Sequence, residues 1–246
     1  MKFFLFLALL LGGCFQATHD RCSTCTVVSG SRPSLMRFRP DTRTVYVIVP
    51  GILGYGWEWD DAVAALRATP NTDFVVFEWD PWGSFQRAGR ELASTIDSVM
   101  RDGRKVSRVV VVGHSAGGMV AGFALSRLLV PPDRRVDIVT IGAPFAGMKA
   151  MPVTVDDPIR SPGFFAIVGT FTRYPAMPRN VRMVSYVTSW PADPVMNPLF
   201  GHLPADPEVA PAGSKRIAVD PKENHNFIVA KIVRKLLTSD GKSPAK

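Results

Sequence analysis

Short, mostly apolar runs alternate along this chain with stretches of helical spacing. The runs are Thr44–Val49, Phe74–Phe77, Val109–Val112 inside a longer run from Val106, and Val136–Ile141. Val181–Trp190 and Lys215–Val219 also read as strands. Between them, Trp57–Thr69 carries Trp59, Val63, Ala64 and Leu66, and Phe85–Arg101 carries Leu92, Ile96, Val99 and Met100 on one face. Ala116–Leu129 is helical with Val120, Phe123, Ala124 and Leu128 on its apolar side, and Phe227–Leu237 closes the series as an amphipathic helix. A strand without polar alternation has no face to show to water. Such strands, separated by helices, imply a parallel sheet covered on both sides. Ligands of these sheets sit beyond the carboxyl ends of the strands, so the residues just after each strand are where chemistry is expected.

The chain has 246 residues, of which 46% are apolar and 20% charged. That is enough apolar material for one full core and excludes a disordered chain or a disulfide-dense mini-protein. The 21 prolines and 20 glycines follow no period, which excludes a collagen-like chain and leaves them as turn formers. No internal repeat occurs. The formal charge of +8 favours anionic surfaces. No basic block or nucleic-acid motif accompanies it, so a basic surface is expected and a nucleic-acid partner is not.

Met1-Lys2 followed by the apolar run Phe3–Leu11 has the form of an export signal. Nine apolar residues are too few to span a bilayer, which takes about 18 or more. The run ends Leu11-Gly12-Gly13-Cys14. This resembles the bacterial lipoprotein signal, which implies removal of residues 1–13, lipidation of Cys14 and attachment to a membrane surface. Phe15 after the Cys goes with the outer membrane in such proteins. Ordinary cleavage nearby, giving a periplasmic or secreted protein, is the alternative. Residues 14–41 are expected to be a polar tether, with Cys22 and Cys25 forming a small disulfide in an oxidising compartment. A redox pair or half of a metal site is the other reading of their C-x-x-C spacing. The domain proper is expected over 42–240, with a tail at 241–246.

The strand ending at Val112 runs into Gly113-His114-Ser115-Ala116-Gly117, a G-x-S-x-G pattern, and a helix follows. In that setting the pattern is a nucleophile elbow: a tight, strained turn lifts the Ser oxygen above the sheet. Gly113 and Gly117 are required because a Cβ at either place clashes across the turn. The helix starting beside Ser115 points N–H groups and the positive end of its dipole at a developing oxyanion.

From these residues the chain resembles the α/β-hydrolases, and within them the bacterial lipases and esterases, over roughly residues 42–237. The resemblance implies an α/β fold with a mostly parallel central sheet, helices on both faces and a small cap insertion, here at 146–180. Val49-Pro50-Gly51-Ile52-Leu53-Gly54 stands where the family has His-Gly-x-x-Gly, with Pro50 in place of His. It implies oxyanion-hole N–H groups from Ile52, or Leu53 in the other register, and from Ala116. Thr140-Ile141-Gly142-Ala143-Pro144-Phe145-Ala146-Gly147 resembles a second family loop, with Phe145 in place of His.

A serine nucleophile needs a base and the base a carboxylate. The family order is Ser, acid, His. His225 follows the last strand and precedes the last helix, so it is preferred over His202. Asp193, in Pro191-Ala192-Asp193-Pro194-Val195, is preferred over Asp220 and Asp206. The cap carries Met148, Met151, Phe164, Phe165 and Phe171, which suit an acyl chain or simply pack on one another. Trp57, Trp59 and Trp82 are candidates to line the site. The expected activity is hydrolysis of a small-molecule or lipid carboxylic ester by an acyl-enzyme route, with no metal or organic cofactor, by a monomer. Thioesterase, phospholipase and amidase chemistry use the same triad. A non-catalytic surface binding module on the same fold is the reading from a different class.

Overall fold

The computed structural model describes residues 26–29, 36–52, 54–81, 83–102, 105–145, 176–187, 213–220 and 228–240. Seven strands among them form one sheet: β1 (Val27–Ser29), β2 (Thr44–Val49), β3 (Thr72–Glu78), β4 (Arg108–His114), β5 (Arg135–Ile141), β6 (Val181–Val187) and β7 (Lys215–Ala218). Their spatial order is β1-β3-β2-β4-β5-β6-β7. Every pairing is parallel. Four helices accompany the sheet: α1 (Asp60–Ala68), α2 (Phe85–Asp102), α3 (Ala116–Ala124) and α4 (Ile228–Asp240). Short 3-10 turns precede α1 at Trp57–Trp59 and follow α3 at Leu125–Arg127.

The side-chain alternation within each strand explains the missing polar alternation in the sequence. Val45, Val47, Val49, Val109 and Val111 pack with α2 and α3 on one face. Tyr46, Ile48, Val110 and Val112 pack with α1 and α4 on the other. All nine are fully buried, so both faces of β2 and β4 are core. On α2, Leu92, Ile96, Val99 and Met100 face inward as their spacing requires. The helix crosses α3 closely at Gly89, where an added Cβ would stand 2.8 Å from the Phe123 backbone.

The structure moves the amino-terminal boundary of the domain. Residues 14–41 were expected to be a tether, yet Val27–Ser29 extends the sheet as an edge strand beside β3, with Val27 opposite Val76. Met36 is buried in the core, and the Arg39 backbone N–H donates to Asp73 Oδ2 at 2.7 Å. An edge strand needs one apolar side chain facing in and only three residues of ladder. A polar neighbourhood hides such a strand from a composition-based reading. Cys14, Cys22 and Cys25 lie outside the described residues, as do residues 146–175 of the cap expected at 146–180. No helix among the described residues is long and apolar enough to cross a membrane.

Candidate active site

All strands being parallel, their carboxyl ends lie along one edge, and the elbow stands at its centre. Ser115 links the end of β4 to the start of α3 with φ 52° and ψ −125°. That left-handed conformation is one an L-residue adopts at a cost of about 1–3 kcal/mol. Two backbone bonds hold the turn. Ser115 N–H donates to the Ile141 carbonyl at the end of β5 (2.8 Å), and Gly118 N–H donates to the Ser115 carbonyl (3.0 Å). Ser115 remains half-buried while its neighbours His114 and Ala116 are buried, so the serine is the member of the turn that reaches solvent.

The glycines of the elbow are dictated by neighbouring backbone. A Cβ on Gly117 would stand 2.1 Å from the Val49 carbonyl oxygen and 2.4 Å from that of Pro50. One on Gly113 would stand 2.7 Å from both the Gly117 carbonyl oxygen and Gly118 Cα. Gly118 has a similar role, since its Cβ would meet Ala143 Cβ at 2.5 Å. The first turn of α3 therefore rests directly on the exits of β2 and β5.

The loop after β2 lies against the serine. A Cβ built on Gly51 would be 3.3 Å from Ser115 Cβ. Gly54 N–H closes a tight turn onto the Gly51 carbonyl (3.0 Å), with Gly54 at φ 77° in the region glycine tolerates. Ile52, inside this turn, is half-buried and packs on the core. Ala116, the other expected oxyanion residue, is the first residue of α3 and fully buried.

Sequence reasoning missed the residue that fastens this loop. Trp79 Nε1 donates to the Pro50 carbonyl at 2.9 Å. The indole lies 5.4 Å from the Phe85 ring, which stacks on Phe123 at 6.2 Å. A tryptophan just past a strand end was the only hint in the sequence. The structure also corrects the expected aromatic lining. Trp59 is fully buried and meets the His114 ring edge-on at 6.2 Å, so it supports the elbow from within the core. Trp57 is 55% exposed. Trp82 lies outside the described residues. Between the loop and α1, the Tyr55 hydroxyl sits 3.3 Å from Asp60 Oδ1. Burial, and then the Asp60 charge, push its pKa well up, so the phenol stays neutral and donates.

A buried pair supports the elbow from the far side. Thr140 Oγ1 donates to Ser185 Oγ at 3.0 Å, tying β5 to β6 where Gly118 approaches Thr140. Phe145, standing where the family resemblance has His, is buried in the core. Asp220 follows β7 and is exposed. Asp193, His225, His202, Asp206 and Leu53 lie outside the described residues.

Residues 90–192 match the model of the PGAP1-like alpha/beta domain family. No curated protein matches the sequence. Among solved structures, the mature form of lipase BlEst2 from Bacillus licheniformis is similar, with a TM-score of 0.51 at 14% identity, over 82% of this chain and 95% of that one. Its propeptide form superimposes with a TM-score of 0.56 at 16% identity, over 86% of this chain and 53% of that one. RedJ, solved with a polyethylene glycol molecule in its active site, has a TM-score of 0.53 at 14% identity, over 83% of this chain and 93% of that one. The PGAP1-like match takes in the elbow strand, the serine turn and the strand beyond it, and the described residues take the α/β-hydrolase fold.

Proposed function

We propose that this protein is an exported serine hydrolase of carboxylic esters. The observation that carries the reading is the conformation of Ser115: a half-exposed serine held at positive φ between a buried strand and the first turn of a helix. Strained non-glycine residues of this kind cluster at active sites, where the surrounding structure holds them. In this reading Ser115 Oγ attacks the ester carbonyl carbon while His225 takes its proton. The N–H groups of Ile52 and Ala116 receive the oxyanion, and collapse of the tetrahedral adduct expels the alcohol, which takes the proton back from His225. Water, deprotonated by His225, then attacks the acyl-enzyme and releases the acid and free Ser115. Asp193 holds the imidazole in the working tautomer and stabilises its charged form. Cleavage before Cys14 and lipidation of that residue would attach the monomer to a membrane surface.

Hydrolysis of p-nitrophenyl esters of increasing chain length, with thioester and amide analogues beside them, tests the substrate class. Ser115→Ala should abolish turnover with unchanged far-UV circular dichroism, and His225→Ala should do the same while His202→Ala keeps activity. Turnover preserved in Ser115→Ala would overturn the reading.

A further inference from the structure

At the opposite edge of the sheet, where the strands start, an open cleft of about 630 Å³ is lined by Thr44, Ser107, Arg108, Arg134, Arg135 and Arg182 among others. Their convergence follows from the parallel register: Thr44 is opposite Arg108, Arg108 opposite Arg135, and Asp137 opposite Arg182. Strand starts far apart in sequence thus bring four guanidinium groups to one place.

Among the described residues, fewer acidic groups than arginines line this cleft. Asp137 is shared, accepting from Arg108 Nε at 2.5 Å and lying 3.0 Å from Arg135 Nε. Asp133 is the other carboxylate, on the cleft lining. Among the described residues, two carboxylates face four arginines. Two of those arginines hold a nitrogen that is shielded from solvent and makes no hydrogen bond among the described residues, Arg134 Nη1 and Arg135 Nε; Arg135 Nε still lies beside Asp137, whereas Arg134 has no such counter-charge there. Buried donors are nearly always satisfied by protein, ordered water or a bound group, so Arg134 Nη1 marks a place where such a partner would sit.

We infer that this cleft binds a phosphate group. Guanidinium forks match the spacing of phosphate oxygens, and the Thr44 and Ser107 hydroxyls add neutral donors. β4 runs seven residues from Arg108 to His114, which at about 3.3 Å per residue puts its start about 23 Å from Ser115, so the cleft is separate from the candidate active site. The phosphate can come from an anionic lipid headgroup or from a soluble phosphoester.

The test uses protein purified from the full-length gene, with Arg134→Gln and the exposed-site variant Arg182→Gln beside it. Calorimetric titration with glycerol 3-phosphate reads the soluble source. Sedimentation with phosphatidylglycerol vesicles, against phosphatidylcholine vesicles that report any contribution of the anchor alone, reads the lipid source. Binding in either arm is expected to weaken about tenfold or more in each variant, as loss of a charged hydrogen bond implies, while hydrolysis of a soluble ester stays at the parent rate. Phosphatidylglycerol preference without glycerol 3-phosphate binding assigns a headgroup, and the reverse assigns a soluble ligand. No binding in either arm at low salt, or binding that both variants retain in full, would overturn the inference.

Discussion

The indole N–H of Trp79 is bonded to the carbonyl of Pro50 at 2.9 Å, and that same carbonyl is one of the two against which Gly117 packs. One backbone oxygen thus joins the exit of β3, the loop after β2 and the first turn of the elbow helix. In the proposed reading this loop supplies the Ile52 oxyanion donor, and because such donors work by being in position when charge develops, whatever fixes the loop would affect the transition state more than the bound substrate.

Trp79→Phe keeps a ring against Phe85 and removes the bond. Steady-state kinetics on a soluble ester should show kcat lowered by about tenfold with KM nearly unchanged, less than the 10²–10³ that loss of an oxyanion donor costs. An unchanged kcat would mean that the loop holds its place without the indole.

Gly117→Ala puts a methyl group within 2.4 Å of two carbonyl oxygens that belong to backbone and cannot rotate away. Overpacking of this kind costs about 3 kcal/mol or more, so thermal denaturation should shift down by about 6–12 °C. A shift within one or two degrees would show that α3 can slide off the β2 exit.

Ser115→Gly separates strain from chemistry. Glycine adopts φ 52° freely, so this variant should melt above the parent while losing ester turnover. A lower melting temperature would mean that the turn stores no strain at this residue.

The Thr140–Ser185 bond is fully enclosed, so its partners cannot turn to water. Ser185→Ala alone should cost about 1–2 kcal/mol in urea unfolding, because Thr140 is left without its acceptor. Adding Thr140→Val should recover much of it, since removing both groups leaves nothing unsatisfied. Additive losses in the double variant would show that the two hydroxyls act independently.

The central strands and the elbow were legible because each depends on a local pattern. Val109–Val112 is apolar on both faces, and Gly113–Gly117 carries its glycines at the places where backbone approaches backbone. β1 was not legible, because Val27–Ser29 becomes a strand only once β3 offers it an edge. Trp79 and Pro50 are 29 residues apart, and nothing in either neighbourhood names the other. The arginine cleft was hidden for a related reason: Arg108, Arg135 and Arg182 meet through strand register, and in sequence each looks like a polar residue at the start of a strand. The +8 charge, which had no place in the sequence reading, acquires one there in part.

Reaction of the purified protein with a fluorophosphonate, followed by intact mass and peptide mapping, tests the serine hydrolase reading most directly. The expected result is one phosphonate per chain, on Ser115, with none in Ser115→Ala. An unmodified chain, or a label on another residue that survives in Ser115→Ala, would contradict it.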